Sequence, residues 1–150
     1  MKALIRQQYQ HKFDDSAMFR VLRRPKEGWI RTLRKALGMS SPQLARLLGV
    51  SRAQASQIER MEIDDRVTLK QLRRVAVKLD CELVYALVPR SSINEMIRER
   101  ARYKAKKIVA AANRHMILES QQLSEMSLKE QIDLETIRLI QDMPRDLWEE

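Results

Sequence analysis

The sequence predicts an all-α protein with one short exception, and three observations carry that prediction. Leu, Ala, Arg, Lys, Glu and Gln dominate a chain of 150 residues that holds only three glycines and four prolines, a mixture of good helix formers with few breakers. Apolar residues recur at intervals of three and four along most of its length, which is the period of a helix with one buried face. Ser or Thr is followed three residues later by Gln or Glu at Ser51 with Gln54, Thr68 with Gln71, and Ser92 with Glu95. In such a pair the hydroxyl and the longer side chain can each satisfy a backbone amide at a helix start.

Each element follows from these signals in order. Residues 1 to 26 form a basic arm with helical patches (Leu4, Ile5, Tyr9, then Met18, Phe19, Leu22), expected to break at Asp14-Asp15-Ser16 and to close at Arg23-Arg24-Pro25. Residues 27 to 80 contain four helices. In the first, Trp29, Leu33 and Leu37 make a row and Gly38 supplies the left-handed end. Ser41 is the expected N-cap of the second, with Pro42 at its first position; Leu44, Ala45 and Leu48 face inward, and Gly49 stops it. Ser51 starts the third, with Ala55 and Ile58 inside. Thr68 starts the fourth, with Leu69, Leu72, Ala76 and Leu79 as its buried row.

The exception is CELVYALVP, residues 81 to 89, whose β-branched and aromatic bias predicts a short strand stopped by Pro89. A lone strand needs a partner, and the simplest is its copy in a second subunit, so Cys81, Leu83, Val84, Tyr85 and Leu87 are expected to join a homodimer. Residues 90 to 150 form a helical extension. Its first helix carries the row Ile93, Ile97, Ala101, Ala105, Ile108, Ala112, Met116, with Arg98, Arg102 and Lys106 opposite and Arg100, Lys104 and Lys107 on the flanks. The last begins at Ser127 or Leu128 and runs through Ile132, Leu134, Ile137 and Ile140 to Met143, ended by Pro144.

Charge narrows the function. A net charge of +9 and a pI near 10.0 point to a polyanionic partner. From His115 to Glu150 the sign reverses, with three basic residues against nine acidic, so a second kind of partner is expected there. Cys81 is alone and implies a reducing compartment. No apolar run reaches membrane-spanning length and none follows Met1 as in a signal peptide, so a cytoplasmic protein without membrane association is expected. His11 and His115 lack metal-ligand spacing and no Gly-rich phosphate loop occurs, so neither a metal, a cofactor nor catalytic chemistry is expected.

Only Gly49-Val50-Ser51 separates the second and third helices, and so tight a corner lets one helix brace while the next projects into a DNA major groove. SSPQLARLLGVSRAQASQIER resembles the helix-turn-helix of Cro/CI-type (XRE) regulators, which implies a lambda-repressor-like bundle over residues 27 to 80. By position, that resemblance places Arg52, Ala53 and Gln57 at base edges, with Ser56 on the same face. Arg suits guanine, Gln adenine, and a methyl group thymine. Ser41, Gln43, Arg46, Ser51, Arg60 and Arg66 are the candidate phosphate contacts. Asp64-Asp65 departs from the basic loop often found near DNA in this fold.

A wider resemblance covers most of the chain. GWIRTLRKALGMSSPQLARLLGVSRAQASQIER with TLKQLRRVAVKLDCELVYALVP is similar to the mobile mystery protein A family, whose members are encoded on bacterial mobile elements beside a Fic-domain partner. The resemblance implies an antitoxin that binds a Fic-type toxin and represses their operon. The two-fold dimer makes a palindromic double-stranded operator the expected DNA, and the charge reversal after His115 makes residues 90 to 150 the expected toxin-binding segment, with the basic arm at residues 1 to 25 as the competing candidate. Some Fic antitoxins carry Ser/Thr-x-x-x-Glu-Gly/Asn; Ser91 and Glu95 have that spacing, but Met96 breaks the pattern and the cap explains Ser92 and Glu95 without it. A regulator without a toxin partner, or an interaction module that does not read DNA, are the alternatives.

Overall fold

Helix ends fall where side chains or glycines can close them. The computed structural model describes residues 2–118 and 124–150, and among these it has seven α-helices: α1 (Lys2–Ser16), α2 (Trp29–Ala36), α3 (Ser41–Leu48), α4 (Arg52–Ile63), α5 (Leu69–Lys78), α6 (Ile93–Leu118) and α7 (Glu125–Asp142). A 3-10 turn at Ala17–Val21 follows α1. The chain clusters into two compact units, Ser16–Val88 and Met1–Asp15 with Pro89–Glu150.

In the unit Ser16–Val88, α2 to α5 surround a core of Ile30, Leu44, Leu48, Val75 and Leu79, with Leu33, Met39, Val50, Ile58 and Leu72 packed on it. The row expected on α2 is displaced. Trp29 and Leu37 are about half exposed while Ile30 is buried, because each four-residue step overshoots a full turn by about 40° and two such steps leave the buried face. Reciprocal caps form at Ser51 with Gln54 and Thr68 with Gln71. α3 is capped one residue earlier than expected, by Ser40, whose hydroxyl accepts from Gln43 N at 3.3 Å while Gln43 Oε1 accepts from Ser40 N at 2.7 Å.

Residues 81 to 89 are irregular, and no strand occurs among the described residues. The strand expectation for Cys81, Leu83, Val84, Tyr85 and Leu87 is thus corrected: β-branched and aromatic composition reports a segment that packs on a surface, but a ladder needs a second backbone. Cys81, Glu82, Leu83 and Val84 instead line an apolar groove of about 400 Å³ together with Leu22, Trp29, Leu33, Leu72 and Ala76. Cys81 is itself exposed. Tyr85 lies under the Arg73 guanidinium, 6.0 Å from its ring centre.

In the other unit, α1 runs without a break through Asp14 and Asp15. Aspartate costs a helix only a few tenths of a kcal/mol more than the better formers, too little to interrupt it at these two exposed sites. α6 and α7 pack around Ala101, Ala105, Leu139 and Leu147. Two alanines with no exposed surface let the helices approach closely along a four-residue ridge, Ile97, Ala101, Ala105, Val109. The expected shift of that row to Ile108 does not occur, and Ile108 is exposed. α7 starts at Glu125 behind the Ser124 cap, earlier than expected, and buries Thr136 and Leu139 rather than Leu134 and Ile137. The Thr136 hydroxyl donates back to Ile132 O at 2.6 Å, which satisfies it inside the core.

The basic side of α6 is partly spent on the chain's own acidic end. Arg100 donates to the carbonyls of Leu147 and Glu149 at 2.7 and 2.6 Å, Arg102 pairs with Asp133 at 2.8 Å, and Lys104 pairs with Asp146 at 2.7 Å. That lysine holds the Asp146 carboxyl below the ordinary aspartate range. No helix among the described residues is long and apolar enough to cross a membrane.

Candidate nucleic-acid interface

The corner between α3 and α4 is built from three backbone features. Gly49 takes φ +68° and ψ 32°, the left-handed conformation that ends α3 at no steric cost to glycine. Val50 N donates to Ala45 O at 3.0 Å, closing the turn. Ser51 then caps α4, accepting from Gln54 N at 3.1 Å while its own amide donates to Gln54 Oε1 at 2.9 Å. Ala45 and Ala55 are buried, and their small side chains bring the two helices together.

The far end of α4 is fixed by two buried carboxylates. Glu62 is 3% exposed and accepts from Trp29 N at 2.8 Å and Ile30 N at 2.9 Å, so it supplies the cap that Gly28 at the start of α2 cannot. Gly28 sits at φ +81°, and a Cβ there would lie 2.8 Å from Glu62 Oε1; glycine is required on both counts. Glu59, equally buried, accepts from Arg31 Nε at 3.0 Å and Arg34 Nε at 2.5 Å. Arg24 donates to Glu62 O at 2.7 Å and pairs with Asp65 at 2.6 Å, closing the C-terminal end of α4. These residues orient α4 although none was expected to; their partners lie 25 to 41 positions away, beyond any local spacing signal.

The arrangement sorts the cations. Arg24, Arg31 and Arg34 are committed to holding α4, and Arg74 donates to Leu48 O at 3.2 Å at the end of α3. Arg66 keeps a long 3.5 Å contact with Asp64, so both acids of the Asp64-Asp65 pair have partners within the fold. The guanidinium groups of Arg46, Arg52 and Arg60 make no hydrogen bond or ion pair among the described residues. Arg52, Ala53 and Gln57 are exposed on α4 and Ser56 is half-buried beside them. Ser41 is half-buried at the first turn of α3, next to exposed Gln43 and Arg46; Gln43 retains only its amide nitrogen for a ligand, because its oxygen serves the Ser40 cap. Ser51 Oγ accepts once for the cap and keeps its hydroxyl proton for a ligand. The N-terminal ends of α3 and α4 add positive backbone potential beside these side chains.

A rigid corner, an exposed polar helix and uncommitted guanidinium groups together form a surface suited to duplex DNA. Residues 30–85 match the family model described as Helix-turn-helix. That likeness supports the class of Cro/CI-type (XRE) regulators for this segment. It supports a DNA-binding transcriptional regulator, a class whose helix-turn-helix is regulatory and not typically enzymatic. No curated protein and no solved structure matches the chain. Of the elements described above, α1, α6 and α7 lie outside the matched helix-turn-helix segment. Ser91 and Glu95 also lie outside it, where Glu95 Oε2 accepts from Ser92 N at 3.1 Å and closes the cap of α6. No cluster of three or more metal-ligating side chains occurs among the described residues.

Proposed function

We propose that the protein is a sequence-specific transcriptional repressor that acts as a homodimer on a palindromic double-stranded DNA operator, and that it is the antitoxin of a Fic-type pair. The observation that carries the DNA reading is the division of arginines: those beneath α4 are tied to Glu59 or to helix ends, while Arg46, Arg52 and Arg60 around its outer face are left free. Arg52 pairs with guanine, Gln57 with adenine, and Ala53 and Ser56 tolerate a thymine methyl. Ser41, Gln43, Arg46, Ser51, Arg60 and Arg66 engage phosphates. The exposed apolar side chains of Val84, Tyr85 and Leu87 support a dimer contact beside the groove, made without a strand. The antitoxin part rests on the sequence resemblance to the mobile mystery protein A family, with residues 90 to 150 as the toxin-binding segment.

The test is titration against an operator selected from random duplexes. Arg52→Ala and Gln57→Ala should each cost about 1–3 kcal/mol at the selected site and relax base preference there. Arg46→Ala and Arg60→Ala should weaken all duplexes alike and reduce the salt slope by about one unit each. Uniform weakening by all four would remove the base-reading assignment. For the second half of the reading, a Fic protein encoded beside this chain should copurify with it; failure to do so leaves a regulator without a toxin partner.

A further inference from the structure

Two helices of the unit formed by Met1–Asp15 and Pro89–Glu150 display apolar stripes that the described chain does not cover. α7 buries one side against α6, yet on its other side Met126, Leu134 and Ile137 are 73%, 68% and 53% exposed. Their separations of eight and three residues put them on one face. On α1, Ile5 and Tyr9 are 44% and 58% exposed and lie one turn apart on one face, with Leu4, 60% exposed, at its edge. Single exposed apolar residues need no explanation, but aligned sets on two helices of one unit mark a contact surface.

Charge says what covers them. α1 carries Lys2, Arg6 and Lys12 and no acid before Asp14. α7 carries Glu125, Glu130, Asp133, Glu135 and Asp142 against Lys129 and Arg138. Asp133 is taken by Arg102 and Glu135 by Arg138, but Glu130, which lies between Met126 and Leu134 on the open face, makes no ion pair among the described residues. We infer that α1 of one copy lies along the open face of α7 of a second copy, apolar stripe on apolar stripe and lysines toward Glu130, and that the exchange is reciprocal. Within one chain α1 shares a unit with α7 and both stripes still stand open. A two-fold exchange covers both stripes of both copies and leaves none over. DNA would not cover an apolar face, and a membrane taking up α1 would leave α7 bare.

This inference rests on the homodimer proposed above but not on DNA reading or a toxin. It is tested in the full chain with Cys81→Ser, which removes the one native thiol. Two preparations with tags of different size, one bearing Tyr9→Cys and the other Leu134→Cys, are mixed and equilibrated with oxidised glutathione. A disulfide-linked heterodimer should form in at least about tenfold greater yield than with Gln7→Cys, which sits on the opposite side of α1. Lys2→Glu with Lys12→Glu should weaken the dimer about tenfold in sedimentation. A dimer that persists without the Tyr9–Leu134 link, or that is indifferent to the lysine reversals, overturns the arm exchange alone. A monomer in sedimentation removes it together with the homodimer, and a link formed only within a single chain carrying both cysteines places α1 on its own α7.

Discussion

The helix-turn-helix unit and the α6–α7 unit are both helical, but they are held by different means. In Ser16–Val88 the ends of helices are tied by side chains from far along the sequence: Glu62 caps α2, Arg24 closes α4, and Arg74 reaches the last turn of α3. In the α6–α7 unit the helices meet along small apolar side chains, and the polar contacts decorate the margin. Hydrogen-bonded charges inside a domain leave few ways to rearrange, so the first unit presents α4 in one orientation. The outer side of α7 leaves Met126, Leu134 and Ile137 open, the surface used in the exchange proposed above. The polar unit leaves guanidinium groups unpaired on its surface, whereas the apolar unit leaves hydrophobic side chains uncovered.

Breaking the tie is expected to have the largest effect. Glu62→Ala strands two amides of α2 under the domain and should destabilise the helix-turn-helix unit by about 3–5 kcal/mol in urea unfolding; a loss below about 1 kcal/mol would mean the unit is held by its core alone. Leu139→Ala, in the other unit, should cost about 2–4 kcal/mol through the cavity it leaves beside Ala101 and Ala105. Its operator affinity should be unchanged once folded protein is counted, and a parallel loss of DNA binding would show that the units do not work separately.

How much of this was legible in the sequence differs between the two units for a physical reason. Caps at Ser51, Thr68 and Ser92, the αL glycines Gly38 and Gly49, and the inner face of α3 depend on residues within four positions of each other, and all stand where the spacing puts them. Glu59 and Glu62 are charged residues in QIERMEI with no local partner to signal burial, and only the three-dimensional return of α2 makes them interior. Rows on α2, α6 and α7 drift because burial follows the neighbouring helix and not a fixed count of residues. The strand at 81 to 89 failed because composition identifies a segment that wants cover without saying what provides it. The residues proposed to face DNA follow from helix position, while the division between committed and free arginines rests on partners far along the chain.

Smaller effects sharpen the same contrast. Ser51→Ala should cost about 1 kcal/mol of stability by removing the acceptor for Gln54 N, and calorimetry should show that loss in the helix-turn-helix unit only. The weakest effect is at the margin of α6. The hydrogen bond from Lys104 lowers the Asp146 carboxyl pKa in the folded chain, so its contribution is present above the unfolded aspartate value and lost as pH falls through the folded one. Trp148 fluorescence should report a small acid transition in that window, and Asp146→Asn should abolish it; an unchanged transition would assign it to another carboxylate.

Gly28 and Glu62 stand 34 positions apart, yet the carboxylate occupies the space a side chain at residue 28 would need. Neither site can drift alone. An alanine at 28 meets the carboxylate and a strained backbone together, while shortening Glu62 to Asp relieves the first and withdraws the cap. In a double-mutant cycle the pair should therefore be non-additive, and lineages of this domain should move through the two positions in step: a glycine kept for a distant acid, and an acid kept for an absent side chain.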